Sequence, residues 1–222
     1  MSLQEYRERV SRNGVTTSEA IVNNSKYSSS IQFFNSPFLK EILINDKVVN
    51  AIVTQGKTSG DKTFLLEPEK SVAAGSVVVI SNKNYLVMDF KDEGINEIYP
   101  TGTLKVCNNL FPIKQNEMRV LLRDADGNPI LDGRGRPQYT VEIVEVTVPC
   151  IVDSRYSFTR GEQQIVLAEN RIEVVVGYVE SENLKLDFEF KMYGDTYKVK
   201  NIDYSNVING EGILIISAER KV

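Results

Sequence analysis

Asp124, Asp126, Asn128 and Asp132 stand close together in a stretch that also holds Gly127. Alternating oxygen donors beside a glycine are the raw material of a calcium loop, in which carboxylates and carbonyls surround a hard cation. The frame fails in two respects. The glycine falls at the fourth place of the loop rather than the sixth, and no glutamate closes the twelve-residue frame. Hairpin-turn chemistry accounts for Asp126-Gly127-Asn128-Pro129 instead, and the expectation is no metal. Two carboxylate pairs, Asp124 with Asp126 and Asp187 with Glu189, have the residue types for acid–base work, but alternating carboxylates on strands usually form solvated faces.

The remaining chemistry is narrowed by what the chain lacks. There is no histidine and no tryptophan among its 222 residues, so proton transfer near neutral pH falls to a shifted carboxylate, lysine or tyrosine. Cys107 and Cys150 are far apart and follow apolar runs, which reads as two free buried thiols rather than a zinc site. Gly56, Lys57 and Gly60 sit in a polar loop, but their spacing is not that of a phosphate loop and no helix is predicted after them. No nucleophile elbow or dinucleotide fingerprint occurs. The chain is read as a non-enzyme without cofactors. Its net charge of −4 and dispersed basic residues argue against a main task of gripping nucleic acid. No apolar run is long enough to cross a membrane, and the polar start Met1-Ser2-Leu3-Gln4-Glu5-Tyr6-Arg7 is unlike an export signal, so synthesis in a cytoplasm is expected.

The elements that would carry these residues are mostly strands. Phe188-x-Phe190, a turn at Tyr193-Gly194-Asp195, Tyr197-x-Val199 and a strand launched from Gly212 form one series. Val77-x-Val79, a turn at Ser81 to Asn84, Tyr85-x-Val87 and a strand launched from Gly102 form another in the same order. Period-2 alternation lays one face of each hairpin on a core, so the chain is predicted to be mainly β, with two small β-barrel modules in tandem. The predicted organisation is a helical docking segment over 1–39, a first module over 40–117, a β-ribbon arm over 118–148 and a second module over 149–222. In the first segment Ser2 and Glu5 make a capping box, and Leu3, Tyr6 and Val10 share one stripe of a short helix. That stripe either caps the first module or docks on a neighbouring subunit. A second helix is predicted from Thr17 or Ser18, with the polar run Asn23 to Ser30 breaking it. The arm carries Arg123, Arg134 and Arg136 at its tip, and a two-stranded ribbon needs something to lie on: a neighbouring subunit or the wall of a channel.

Several ordered strings give the chain a family likeness. They are Leu3-Gln4-Glu5-Tyr6, Asn84-Tyr85-Leu86-Val87, Tyr99-x-x-Gly102-x-Leu104-x-x-Cys107-Asn108 with Leu110, Pro149-Cys150-Ile151-Val152-Asp153-Ser154-Arg155, Tyr193-Gly194-Asp195-x-Tyr197-Lys198-Val199, and Gly212-Ile213. Together the chain resembles minor structural proteins of tailed bacteriophages of Gram-positive bacteria, from the neck or head–tail junction. It departs from them in carrying Tyr85 where members have tryptophan, and in the longer connection from Met118 to Val148. The resemblance implies SH3-like modules and a head-closure (stopper) or connector ring of six or twelve copies. Such a ring joins the portal to tail proteins, resides in the virion and lets DNA pass through its lumen without sequence recognition. Tail-completion, tail-terminator or baseplate subunits are the neighbouring alternatives. A stand-alone SH3-like peptide-binding module using Tyr193, Tyr197 and Tyr204 is the alternative of another class.

Overall fold

A computed structural model describes residues 14, 16–93, 98–154, 170–181 and 184–221. The docking stripe Leu3, Tyr6 and Val10 lies outside them, as do the Tyr156–Glu162 turns and the strand expected at Ile165–Leu167. The chain forms two compact units: 1–108 with 176–178 and 204–214, and 109–175 with 179–203 and 215–222.

The first described element is a helix, α1 (Thr17–Phe34). Thr16 caps it: its hydroxyl accepts the Glu19 N–H while the Glu19 carboxylate accepts the Thr16 N–H, a complete capping box. The polar run Asn23 to Ser30, expected to end the helix, is instead its middle. Packing overrides propensity here. Ser29 is buried and donates to the Ile98 carbonyl, Lys26 pairs with Glu69 at 2.7 Å, and Phe33 is buried one turn beyond Ser29.

Six strands follow: β1 (Leu39–Ile44), β2 (Lys47–Gln55), β3 (Lys62–Leu66), β4 (Val77–Ile80), β5 (Lys83–Lys91) and β6 (Thr101–Val106). They close into a barrel in the order β1-β2-β3-β6-β5-β4. Its core gathers Ile42, Ala51, Val53, Phe64, Leu66, Val78, Tyr85, Val87 and Leu104. At Gly102 two phenyl rings take the place of a side chain. Phe64 and Phe90 stack at 5.5 Å, and a Cβ on Gly102 would stand 2.5 Å from the Phe64 ring and 2.7 Å from the Asp89 carbonyl.

A second, six-stranded sheet is built on β7 (Asn109–Leu121), β8 (Tyr139–Asp153), β9 (Arg171–Gly177), β10 (Glu189–Met192), β11 (Asp195–Ile208) and β12 (Glu211–Arg220), in the order β10-β11-β12-β9-β8-β7. Laid flat, the outer strands of such a sheet would stand about 24 Å apart. Phe111 on β7 and Phe190 on β10 nevertheless touch edge to face at 4.9 Å, so the sheet curls until its margins meet through side chains. Ser181, between β9 and β10, donates to the Ile113 carbonyl on the same margin at 2.6 Å. This is the second barrel-like module. It begins at Asn109, inside the stretch assigned by sequence to the first, because β7 pairs with β8 from Asn109↔Cys150 onward.

The internal repeat is present with a one-residue correction. Val78, Ile80, Tyr85 and Val87 are buried in the first module and Phe190, Met192, Tyr197 and Val199 in the second, each 112 residues from its counterpart (78 to 190, 85 to 197). The inward pair is therefore Val78 and Ile80, not Val77 and Val79; a shift of one position exchanges the faces of a strand. Both hairpins turn on two residues with positive φ, Ser81-Asn82 and Tyr193-Gly194, as does Asn45-Asp46 between β1 and β2. That is the type I′ geometry whose twist matches paired strands. Asn209-Gly210, the strongest dipeptide of this kind, makes a fourth such turn that the pattern reading passed over.

Cys107 and Cys150 form no disulfide, as expected; Cys150 is buried, while Cys107 is half-buried. Burial pushes the Cys107 thiol up to about 12 from an ordinary 9.0. The folded state thus keeps this proton through a range in which the unfolded chain releases it. Stability is unaffected below pH 9 and falls as pH rises from there toward 12. Melting curves of the protein and of Cys107→Ala between pH 7 and about 10.5 should show a steeper alkaline loss in the parent. Parallel slopes would contradict the shift.

Candidate functional site

β7 and β8 pair out to Leu121↔Tyr139, whereas among the described residues β8 pairs with β9 only over Ile151–Asp153. At about 3.3 Å per residue, a strand of this length spans about 40 Å. The outer part is a ribbon whose partners are each other. A bulge at Ile113, between Pro112 and Lys114, marks where the strand leaves the module core.

At its end the ribbon does not simply loop. Leu122, Ile130 and Gln138 stand eight residues apart and close a ring of backbone bonds. The Ile130 N–H donates to the Leu122 carbonyl, that of Gln138 to Ile130, and that of Leu122 to Gln138, at 2.9, 2.8 and 3.0 Å. Between these three points lie two turns of one design, Asp124-x-x-Gly127-x-Pro129 and Asp132-x-x-Gly135-x-Pro137. In the first, Asp124 Oδ1 accepts the N–H groups of Asp126 and Asn128 at 3.0 and 2.8 Å. In the second, Asp132 Oδ1 accepts those of Arg134 and Arg136 at 2.8 and 2.9 Å. Gly127 and Gly135 have φ of 84° and 75° with nothing near a would-be Cβ, so each is required for its conformation and not for space. The eight-residue spacing of Asp, Gly and Pro is the sequence signal of these turns, and it does not fit a calcium frame. The aspartates are turn acceptors, and among the described residues no acidic or thiol group gathers as for a metal.

The three expected arm cations divide by role. Arg123 donates to the Gly127 carbonyl at 2.7 Å and closes its own turn. Arg134 and Arg136 extend from the second turn into solvent with no carboxylate partner among the described residues. Beside them Leu131 is 53 % and Tyr139 57 % exposed, an apolar and cationic tip without a core beneath it. The other carboxylate pair is separated by lysines: Asp187 meets Lys198 at 2.9 Å, whose hydrogen bond and charge hold its carboxyl below the ordinary value, and Glu189 meets Lys221 at 2.9 Å. Tyr193 and Tyr204 are exposed while Tyr197 is core, so the three tyrosines do not form one surface.

Asp124→Ala with Asp132→Ala removes acceptors for four backbone N–H groups at an exposed tip. Amide exchange at Asn128 and Arg136 should quicken about tenfold or more while the melting temperature stays within about 2 °C. A matching fall in global stability would mean the turns are part of a larger cooperative unit.

Two family models cover the chain, one for the YomX N-terminal domain over residues 2–106 and one for the YomX C-terminal domain over 98–219. The chain belongs to the YomX family. The family's division at 98–106 falls at β6, the last barrel strand. Among curated relatives, the SPbeta prophage-derived uncharacterized protein YomX of Bacillus subtilis (strain 168) is 25% identical over 186 residues, covering 82% of this chain and 83% of its own. The structure of K. pneumonia MrkH aligns over 89% of this chain and 83% of that one, at 10% identity and a TM-score of 0.21, and carries no argument about the fold.

Proposed function

We propose that this YomX-family chain is a structural subunit of a phage particle, placed at the neck as a head-closure or connector ring between portal and tail, where it helps retain packaged DNA. The observation that carries the reading is the ribbon. A chain that extends a rigidified, apolar and cationic tip beyond the core of its own module has built a contact for another subunit. The prophage origin of the curated relative supports a virion setting, and the resemblance of the chain's ordered strings to neck proteins supports the position within it. Assembly from repeated copies would let the same tip meet the same receiving surface around a closed ring. Localisation in the virion, after assembly in the host cytoplasm, follows from this reading.

The test is deletion of the gene from the phage or prophage that encodes it, followed by electron microscopy of the induced lysate. Separate heads and tails, with the protein present in purified wild-type virions, are expected. Normal joined particles, and virions that lack the protein, would overturn the proposal. Intact heads carrying incomplete tails would move the subunit to tail completion.

A further inference from the structure

The barrel of the first unit gathers at one mouth the cations that the sequence disperses. The start of β1, the end of β2, the start of β3 and the β4–β5 turn meet there around a hollow of about 570 Å³. Lys40, Lys62 and Lys83 line it with Tyr85 and Phe38, and no carboxylate does. An adjoining hollow of about 370 Å³ shares Lys62 and adds Lys57 and Lys105, with Asp61 as its one acid. Five lysines thus face one acid at a single end of a barrel, on a chain whose net charge is −4. Among the described residues the ammonium groups of Lys40, Lys62 and Lys83 have no carboxylate within ion-pair distance. Lys62 instead lies 5.8 Å from the centre of the Tyr85 ring.

From this geometry we propose that the barrel mouth binds a segment of single-stranded nucleic acid, without reading its sequence. The cations are spread across two hollows rather than converging on one point, which fits the spaced charges of a phosphodiester chain better than one small anion. All are lysines, point charges suited to phosphate oxygens, and none is the arginine fork that grips a base edge or a carboxylate through two bonds. The larger hollow is of ligand size and is lined by Phe38, a residue 57 % exposed. An open aromatic ring beside a lysine track is the arrangement on which an unpaired base stacks while its phosphates are held. A duplex, with its bases already stacked inside, offers nothing to that ring. The site stands on the barrel mouth alone and is independent of where the protein sits in a particle.

Fluorescence anisotropy of the full chain with a labelled oligothymidylate, titrated across salt concentrations, tests the site. Binding should weaken with salt at about 0.7 of a log unit per phosphate contact for each decade of salt. Lys40→Gln with Lys62→Gln and Lys83→Gln should raise the Kd at least about tenfold and flatten the slope by about 2, whereas Phe38→Ala should raise the Kd and leave the slope unchanged. Lys57→Gln, on an exposed loop, provides a second variant should the triple one fold poorly, and Lys191→Gln on β10 is the neutral control. Absence of binding at low salt, equal affinity for a duplex or for inorganic polyphosphate, or variants that bind like the parent would each overturn the proposal.

Discussion

Gly102→Ala is expected to destabilise the first unit by about 3 kcal/mol, and Gly102→Val to prevent the barrel from closing. The added Cβ would stand 2.5 Å from Phe64 Cε1, 2.7 Å from the Asp89 carbonyl oxygen and 2.8 Å from Phe90 Cδ2. Relief by side-chain movement alone is blocked on every side. Phe64 is fully buried, Phe90 is stacked on it, and Asp89 contributes backbone at the point where β5 changes register against β6. Gly102 itself pairs with Phe64 on β3 and Phe90 on β5, so moving its backbone breaks ladder bonds to both neighbours. Urea denaturation read by tyrosine fluorescence measures the effect. Full retention of stability in Gly102→Ala would show that the two rings can part without cost, and the packing account would be wrong.

Truncation of the arm is expected to have the largest effect on assembly and almost none on folding. In the variant, Arg123 to Pro137 is replaced by Asn-Gly, which rejoins Leu122 to Gln138 with the two-residue turn already used elsewhere in the chain. Its units lose no core residue, because every residue removed is exposed or half-buried. If Leu131, which lies in the removed segment, anchors a contact between subunits, its loss alone costs about 2 kcal/mol, or about thirtyfold in affinity. Removing the whole tip should therefore abolish complementation of a gene-deleted phage, while the melting temperature of the purified variant stays within about 3 °C of the parent. Full complementation would detach the ribbon from assembly and with it the main support for the neck reading.

What could be read in advance follows the range of the interactions involved. The hairpins were legible because their determinants are local: Asn45-Asp46 and Tyr193-Gly194 need positive φ, and alternation on either side sets the faces. The Val77/Val78 shift arose because all four residues of β4 are apolar and alternation offers no guide to which pair turns inward. The continuation of α1 through Asn23 to Ser30 was hidden since its cause is non-local, lying in Ile98 and Glu69. The lysine-lined mouth was hidden for the same reason. Residues 40, 57, 62, 83 and 105 look scattered until the barrel closes and brings their strand ends together.

The paired turns at the arm tip bear on how this chain can evolve. Each is a self-contained cassette of eight residues, bounded by backbone bonds among Leu122, Ile130 and Gln138 and held by its own aspartate. A tandem duplication or loss of one cassette would change the size of the arm tip while leaving the β7–β8 register intact. Recombination can thus resize the tip in whole steps of eight, with no compensating change in either barrel.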